Sequence, residues 1–401
     1  MHQRCACHII NLIVKCGLDV FKDYLDDIRT AINFLNSSKN RIARFKEFCI
    51  AKGMTPRKFG LDMDVRWNST FLMLKHLIPY KEVFTVFINT NYNSEHMLLT
   101  NVHWYVAEHM FKFLELFYDA TVVLSGVYYP TAPLVLHHLI DIAEHLQKAE
   151  RNEHFKEIAM PMKMKFLKYW DKIPLLYSYA FILDPRAKMK GFHRALELLG
   201  KATNNDYNLY YGDVRSELTR LFSKYEDKYG TTRPRRPVFP PSGSAGRGKQ
   251  SWSRLYGGPD PDSSLAAPSA VCELTSYLDS DPVTFFDDNF DILNWWREHK
   301  LTYPILSIMA RDIMAVPVST VSSESCFSLT GRILEERRRR LVPEHVEMLT
   351  CIKDWDQATR RAQHTALDKD LEEAFKNLWI DDPPPEGSGS DTGTGTGSVR
   401  R

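Results

Sequence analysis

The sequence predicts a mainly α protein with few strands, on three observations. Apolar residues recur at alternating steps of three and four, first Leu25, Ile28, Ile32 and Leu35, then Ile42, Phe45 and Cys49, the spacing that lines one face of a helix. A dense aromatic stretch from Asn101 carries Trp104, Phe111, Phe113, Leu114, Phe117 and Leu124 before Ser125 and Gly126 stop it. Toward the C-terminus, Asp291 reads as a helix cap, and Pro304 and Pro343 read as first helical residues, where the missing N–H costs nothing.

Composition narrows the class. A chain of 401 residues has room for two or three domains. A formal charge of +2 means that any nucleic-acid surface must come from local clusters. Seven scattered cysteines argue against a disulfide framework and for a reducing compartment. The apolar run Ile9 to Val14 is too short for a signal-peptide core, and no stretch approaches the roughly 20 residues of a membrane span, so no membrane partner is expected. Strong patterning begins almost at Met1 and predicts a chain that starts inside a former domain.

Taken in order, His2 to Leu18 contains Cys5 and His8, but no second Cys/His pair follows at finger-like spacing. The expectation is that both pack a helix start and hydrogen-bond locally. The two amphipathic helices that follow, separated by a polar Ser-Ser-Lys-Asn stretch, are expected to bury against the chain's own helices in preference to a coiled-coil partner. In Leu61 to Leu74, Asp62 and Asp64 form a tempting metal pair. Arg66 and Trp67 offer either a clamp on a nucleic-acid backbone or a buried Trp with an Arg-carboxylate pair. Of His137, His138 and His145, only His138 and His145 share a helix face, and two histidines by themselves do not make a metal site. No metal and no cofactor are therefore assigned.

Lys163, Lys165 and Lys168 interleave with aromatics and form either a DNA-facing stripe or a solvated helix face. Phe181 to Arg186 ends a helix at Asp184-Pro185. Residues 231–271 are rich in Pro, Gly and Ser and read as a disordered linker, as do residues 379–401 as a tail. Trp295 and Trp296 cannot both be buried on one narrow helix face. Pro304 then opens a helix with Ile305, Ile308, Met309, Ile313 and Val316.

Pro317 to Trp355 organises the rest. Ser319 and Thr320 offer capping hydroxyls, Glu324 falls in the first helical turn, and Gly331 supplies the stop. Arg332 and the run Arg337, Arg338, Arg339 and Arg340 make a basic connector, and Pro343 opens a helix bearing Val346, Leu349, Ile352 and Trp355. Ser319, Thr320, Ser323, Glu324, Phe327, Ser328, Gly331, Arg332, Leu341, Pro343 and Trp355 closely resemble the C-terminal signature of the hAT superfamily of transposases, of the plant sleeper type. Cys5 and His8 with Asn11, Leu12 and Ile13, the Arg66 to Ser69 block, Lys163 to Trp170 and Phe181 to Arg186 are similar to further blocks of that family.

The resemblance implies an RNase H-like assembly represented here by its helical insertion, in residues 1–230 with a middle domain at about 101–210, and a C-terminal dimerisation domain at 272–356. It makes Glu324 the last of three metal-binding acids, with Ser325 and Cys326 departing from the usual neighbours. It places the family's two aspartates and its BED zinc finger upstream of Met1. Because strand transfer needs several acids around two metal ions, the expected function is a DNA-binding, dimerising transposase remnant without its own transposase activity. Homodimers or heterodimers with related hAT proteins, and a nuclear location, follow. Trp295, Trp296, Ile305, Met309, Ile313, Phe327, Leu349, Ile352 and Trp355 are the expected interface. DNA contacts are expected at Arg66, Lys163, Lys165, Lys168, Arg332 and Arg337 to Arg340. A helical module that binds related proteins without DNA is the alternative, and charge reversal at Arg337 to Arg340 discriminates the two.

Overall fold

The computed structural model describes residues 4–63, 66–91, 99–230, 272–283, 290–320 and 342–358. Among them secondary structure is helical, and the sole β pairing is an isolated bridge between Met63 and Arg66. The mainly α expectation therefore holds. The segments read as linker and tail lie outside the described residues, as do Asp64, Glu324, Phe327, Arg332 and Arg337 to Arg340.

The chain forms two compact units, one of residues 21–115 and 368–401, the other of 1–20 and 116–367. In the first, α2 (Lys22–Asn36) and α3 (Lys39–Ala51) are the two amphipathic helices. Ser38 accepts a hydrogen bond from the Arg41 N–H and so caps α3 at the polar break. α4 (Trp67–Leu77), α5 (Lys81–Asn91) and most of α6 (Asn101–Leu124) complete the unit. Its centre is aromatic: Phe45 meets Phe87 at 5.1 Å between ring centroids, and Phe59 meets Phe84 at 5.4 Å, both edge-on.

Among the ion pairs of this unit, the one between Arg29 and Asp62 is the most enclosed. Arg29 Nη2 reaches Asp62 Oδ2 at 2.5 Å and its Nε reaches Oδ1 at 2.8 Å, while the Thr70 hydroxyl donates to Oδ2 at 2.6 Å. Burial works against the Asp62 charge, but these donors outweigh it and hold the carboxyl below its ordinary value of 3.8. Asp62 is thus spent on structure and is not a metal ligand in waiting. Its folded-state value is depressed, so its contribution is complete above pH 4 or so and is lost as pH falls through that depressed value. Asp62→Asn is expected to cost about 1.5–3 kcal/mol at pH 7, because Arg29 loses its bidentate partner and keeps only Asp26, at 2.6 Å. Urea unfolding at pH 7 and pH 3 checks this: the gap between variant and parent should narrow at the lower pH.

The second unit begins with α1 (Ala6–Leu18), which packs along α8 (Lys156–Trp170). Gly17 makes this approach possible, since a Cβ there would overlap Met162 and Ile158. α7 (Val135–Glu150) lies between α8 and α10 (Lys188–Thr203). α9 (Leu175–Ile182) is apolar nearly all round and is buried from Tyr177 to Ile182, as expected of a helix enclosed by others. α11 (Asn208–Tyr229) meets α14 (Pro304–Met314), and α12 (Glu273–Asp279) and α13 (Ile292–Glu298) pack beside it. Asp291 caps α13 through the Leu293 and Asn294 N–H groups, as its position in the sequence indicates.

Candidate functional site

The C-terminal stretch is held at two corners. The first is the start of α1. Cys5 Sγ accepts the N–H groups of His8 and Thr320, each at 3.3 Å, and donates to Ser319 Oγ at 3.8 Å, while the Ala6 N–H donates to the Val318 carbonyl at 2.8 Å. The Cys5-His8 block is therefore a helix cap that also grips residues 318–320, the threshold of the Glu324 segment. The His8 ring is exposed, and no cluster of three metal-ligand side chains occurs among the described residues. The histidines of α7 rest against rings or are half-buried: exposed His137 lies 4.9 Å from the Phe181 ring, His145 meets Phe117 edge-on, and burial pushes the His138 imidazole below its usual value.

The second corner follows α9. Pro185 cannot continue a helix, so the carbonyls of Ile182, Leu183 and Pro185 take donors from elsewhere. Tyr277 Oη donates to Ile182, Trp296 Nε1 to Leu183 and the Val283 N–H to Pro185, at 3.0, 3.0 and 2.9 Å. Lys188, buried and at φ +51°, donates to the Ser280 and Asp281 carbonyls and to the Ser280 hydroxyl. Glu273 accepts the Ile305 and Leu306 N–H groups and so caps α14 from a distance. Asp184 holds Arg186 with both carboxyl oxygens, at 3.0 and 2.7 Å, so this acid too is occupied by an ion pair.

These latches correct the expected interface. Trp296 is 3% exposed, and Ile305, Met309 and Ile313 are equally enclosed. They fill the chain's own core because α14 is wrapped by α9, α11 and α13. Trp295 is half-buried and stacks on His299 at 3.8 Å, which bears out the expectation that only one of the two tryptophans is buried. In α15 (Pro343–Ala358) the pattern is reversed: Val346 is buried, but Leu349, Ile352 and Trp355 are 40%, 58% and 68% exposed. Met348, which the sequence reading passed over, joins Ile352 and Trp355 at i, i+4 and i+7 to form one apolar stripe.

The lysines of α8 separate. Lys163 is ion-paired with Glu150, Lys165 is half-buried, and Lys168 is exposed. Arg66 is exposed beside the buried Trp67. Asp62, close to Trp67 in the chain, is paired with Arg29.

Three family models match successive parts of the chain. Residues 3–113 match a ZBED1 RNase-like helical domain, 133–225 a hAT-like transposase RNase-H fold, and 273–355 a hAT family C-terminal dimerisation region. The chain belongs to the hAT transposase family. Among relatives of this hAT chain, zinc finger BED domain-containing protein RICESLEEPER 2 of Oryza sativa is 32% identical over 387 residues, covering 91% of the chain and 52% of the relative. RICESLEEPER 1 of the same species is 31% identical with the same coverage. DAYSLEEPER of Arabidopsis thaliana is 28% identical over 301 residues, 74% of the chain and 40% of the relative. The hAT chain thus spans about half the length of the curated relatives it matches. No helix among its described residues is long and apolar enough to cross a membrane.

Proposed function

We propose that the chain is a nuclear, DNA-binding protein that dimerises through α15, with itself or with related hAT proteins, and does not cut DNA by itself. The observation that carries this reading is the solvent-facing stripe Met348, Ile352 and Trp355, with Leu349 beside it, at the end of the stretch that matches the dimerisation region. Apolar groups of this size and type left in water mark interaction surfaces. Support for DNA binding comes from exposed cations, Arg66 and Lys168 among them. Arg332 and Arg337 to Arg340 are proposed as further phosphate contacts, and Glu324 as a vestigial metal-binding acid. The zinc finger BED names of the relatives favour the nuclear location. Support for inactivity comes from Asp62 and Asp184, each of whose carboxylates is spent on an arginine.

Fluorescence anisotropy with two unrelated duplexes at two salt concentrations tests the DNA reading. Affinity should be similar for both and should fall with a slope of roughly 0.9 in log affinity per log salt for each phosphate neutralised. Salt-insensitive binding to one sequence only would overturn it, and a defined dimer that ignores DNA would establish the protein-interaction alternative. Supercoiled plasmid incubated with the chain and magnesium or manganese should stay intact; nicking abolished by Glu324→Gln would sink the inactive reading.

A further inference from the structure

A cleft of about 300 Å³ opens in the second unit between the start of α1 and the end of α8. Its rim carries Arg4, Lys168, Tyr169 and Lys172, and its only acid is Asp171. Ile9, Trp170 and Tyr177 lie beneath and are buried. The rim is fixed: Tyr177 Oη donates to the Arg4 carbonyl at 3.3 Å, and the Arg4 guanidinium lies 5.5 Å from the centre of the Tyr169 ring.

Two independent features point to a ligand. The first is charge. Some cations of this unit are paired, Lys163 with Glu150 and Arg186 with Asp184. Arg4, Lys168 and Lys172 have no ion-pair partner among the described residues, so three exposed cations stand with one carboxylate around the cleft. The second is an orphan donor. Trp170 is 3% exposed and lines the cleft, yet its Nε1–H has no hydrogen-bond partner. Buried indole N–H groups ordinarily find an acceptor, and none is supplied by the described residues. An anion with several acceptor oxygens would match the three cations, and it would reach the Trp170 Nε1–H only by settling beneath the rim. Carboxylates are supplied plentifully by the chain itself and leave these groups unmatched, whereas a phosphate offers more oxygens and suits an arginine and two lysines together.

The space is also too small for a duplex and is at the lower end of the range that holds one small ligand. A phosphate seated here in a polymer brings its neighbouring base against Tyr169, which requires that base to be unpaired and unstacked. Basic grooves with an aromatic platform are the general solution for single strands. We propose that this cleft binds a backbone phosphate of an unpaired DNA strand, with the adjoining base laid on Tyr169. This rests on the reading of the chain as a DNA-binding protein.

The test uses the full chain and fluorescent oligothymidine, the same strand as a duplex with oligoadenine, and inorganic phosphate or thymidine monophosphate as competitors. The parent chain should bind the single strand more tightly than the duplex. Lys168→Ala with Lys172→Ala should lower single-strand affinity at least tenfold and reduce the salt slope by about 1.4, since each phosphate contact contributes roughly 0.7 for single strands. Tyr169→Leu should lower single-strand affinity about fivefold or more and remove the preference over duplex with little change in slope. Trp170→Phe, which keeps the ring and deletes the donor, should weaken single-strand binding alone. Unchanged thermal melting keeps each result interpretable. Retained single-strand binding with unchanged slope in the double lysine variant overturns the cleft and leaves the DNA reading standing. Equal losses on single strand and duplex overturn the unpaired-strand assignment. Competition by inorganic phosphate as effective as the oligonucleotide shows a free-phosphate site and overturns the polymer. No binding to either oligonucleotide by the folded parent overturns both readings.

Discussion

Trp296→Ala is expected to destabilise the second unit by about 3–5 kcal/mol while leaving the subunit mass unchanged at temperatures where the protein stays folded. The side chain is 3% exposed and meets Tyr277, Trp295 and Tyr303 within one ring cluster. Truncation removes these contacts and strands the Leu183 carbonyl that accepts its Nε1–H at 3.0 Å, so a cavity and an unsatisfied acceptor arise together. For a unit of this size the melting temperature should fall by about 10 °C. Calorimetry and sedimentation velocity at 20 °C, both at one protein concentration, provide the check. A loss of dimer without a loss of melting temperature would restore Trp296 to the interface and would contradict its burial.

Ile352→Glu should do the opposite. Ile352 lies at the centre of the exposed stripe of α15, between Met348 and Trp355. A carboxylate there costs the monomer little, because position 352 already faces water. In a dimer it would be desolvated against apolar neighbours. Loss of a central anchor commonly costs 2 kcal/mol or more, so self-association should weaken by about thirtyfold or more, with Trp355→Glu behaving alike and melting at low concentration unchanged. A soluble parent chain that remains monomeric at high micromolar concentration would refute the α15 interface. A dimer insensitive to both changes would place the contact elsewhere.

The contrast between these two variants rests on what local pattern does and does not encode. Asp291, Pro304 and Pro343 mark their helices by chemistry that acts within one turn, and each stands where its element begins. The same holds for the two helices on either side of Ser38 and for the stop at Pro185. Three- and four-residue spacing made the apolar faces of α2 and α14 legible in the same way. The family signature was legible because it is a set of residue types in order, and it needed no geometry.

The sequence by itself therefore determined the helices, their caps and the family. Only the tertiary structure decided what each face meets. Ile305, Met309 and Ile313 recur at helical spacing, as do Met348, Ile352 and Trp355, yet the former are wrapped by neighbouring helices and the latter face solvent. Periodicity reports that a face is apolar and is silent on what covers it. Ion pairing is equally non-local: Asp62 is claimed by Arg29, 33 residues away, and not by nearby Arg66. Lys163 is neutralised from the adjoining helix by Glu150, whereas Lys168, five residues on, has no ion-pair partner among the described residues and lines a cleft with Arg4. A row of lysines is one feature in the chain and becomes two in space, because charge is cancelled by whatever acid the fold brings within reach.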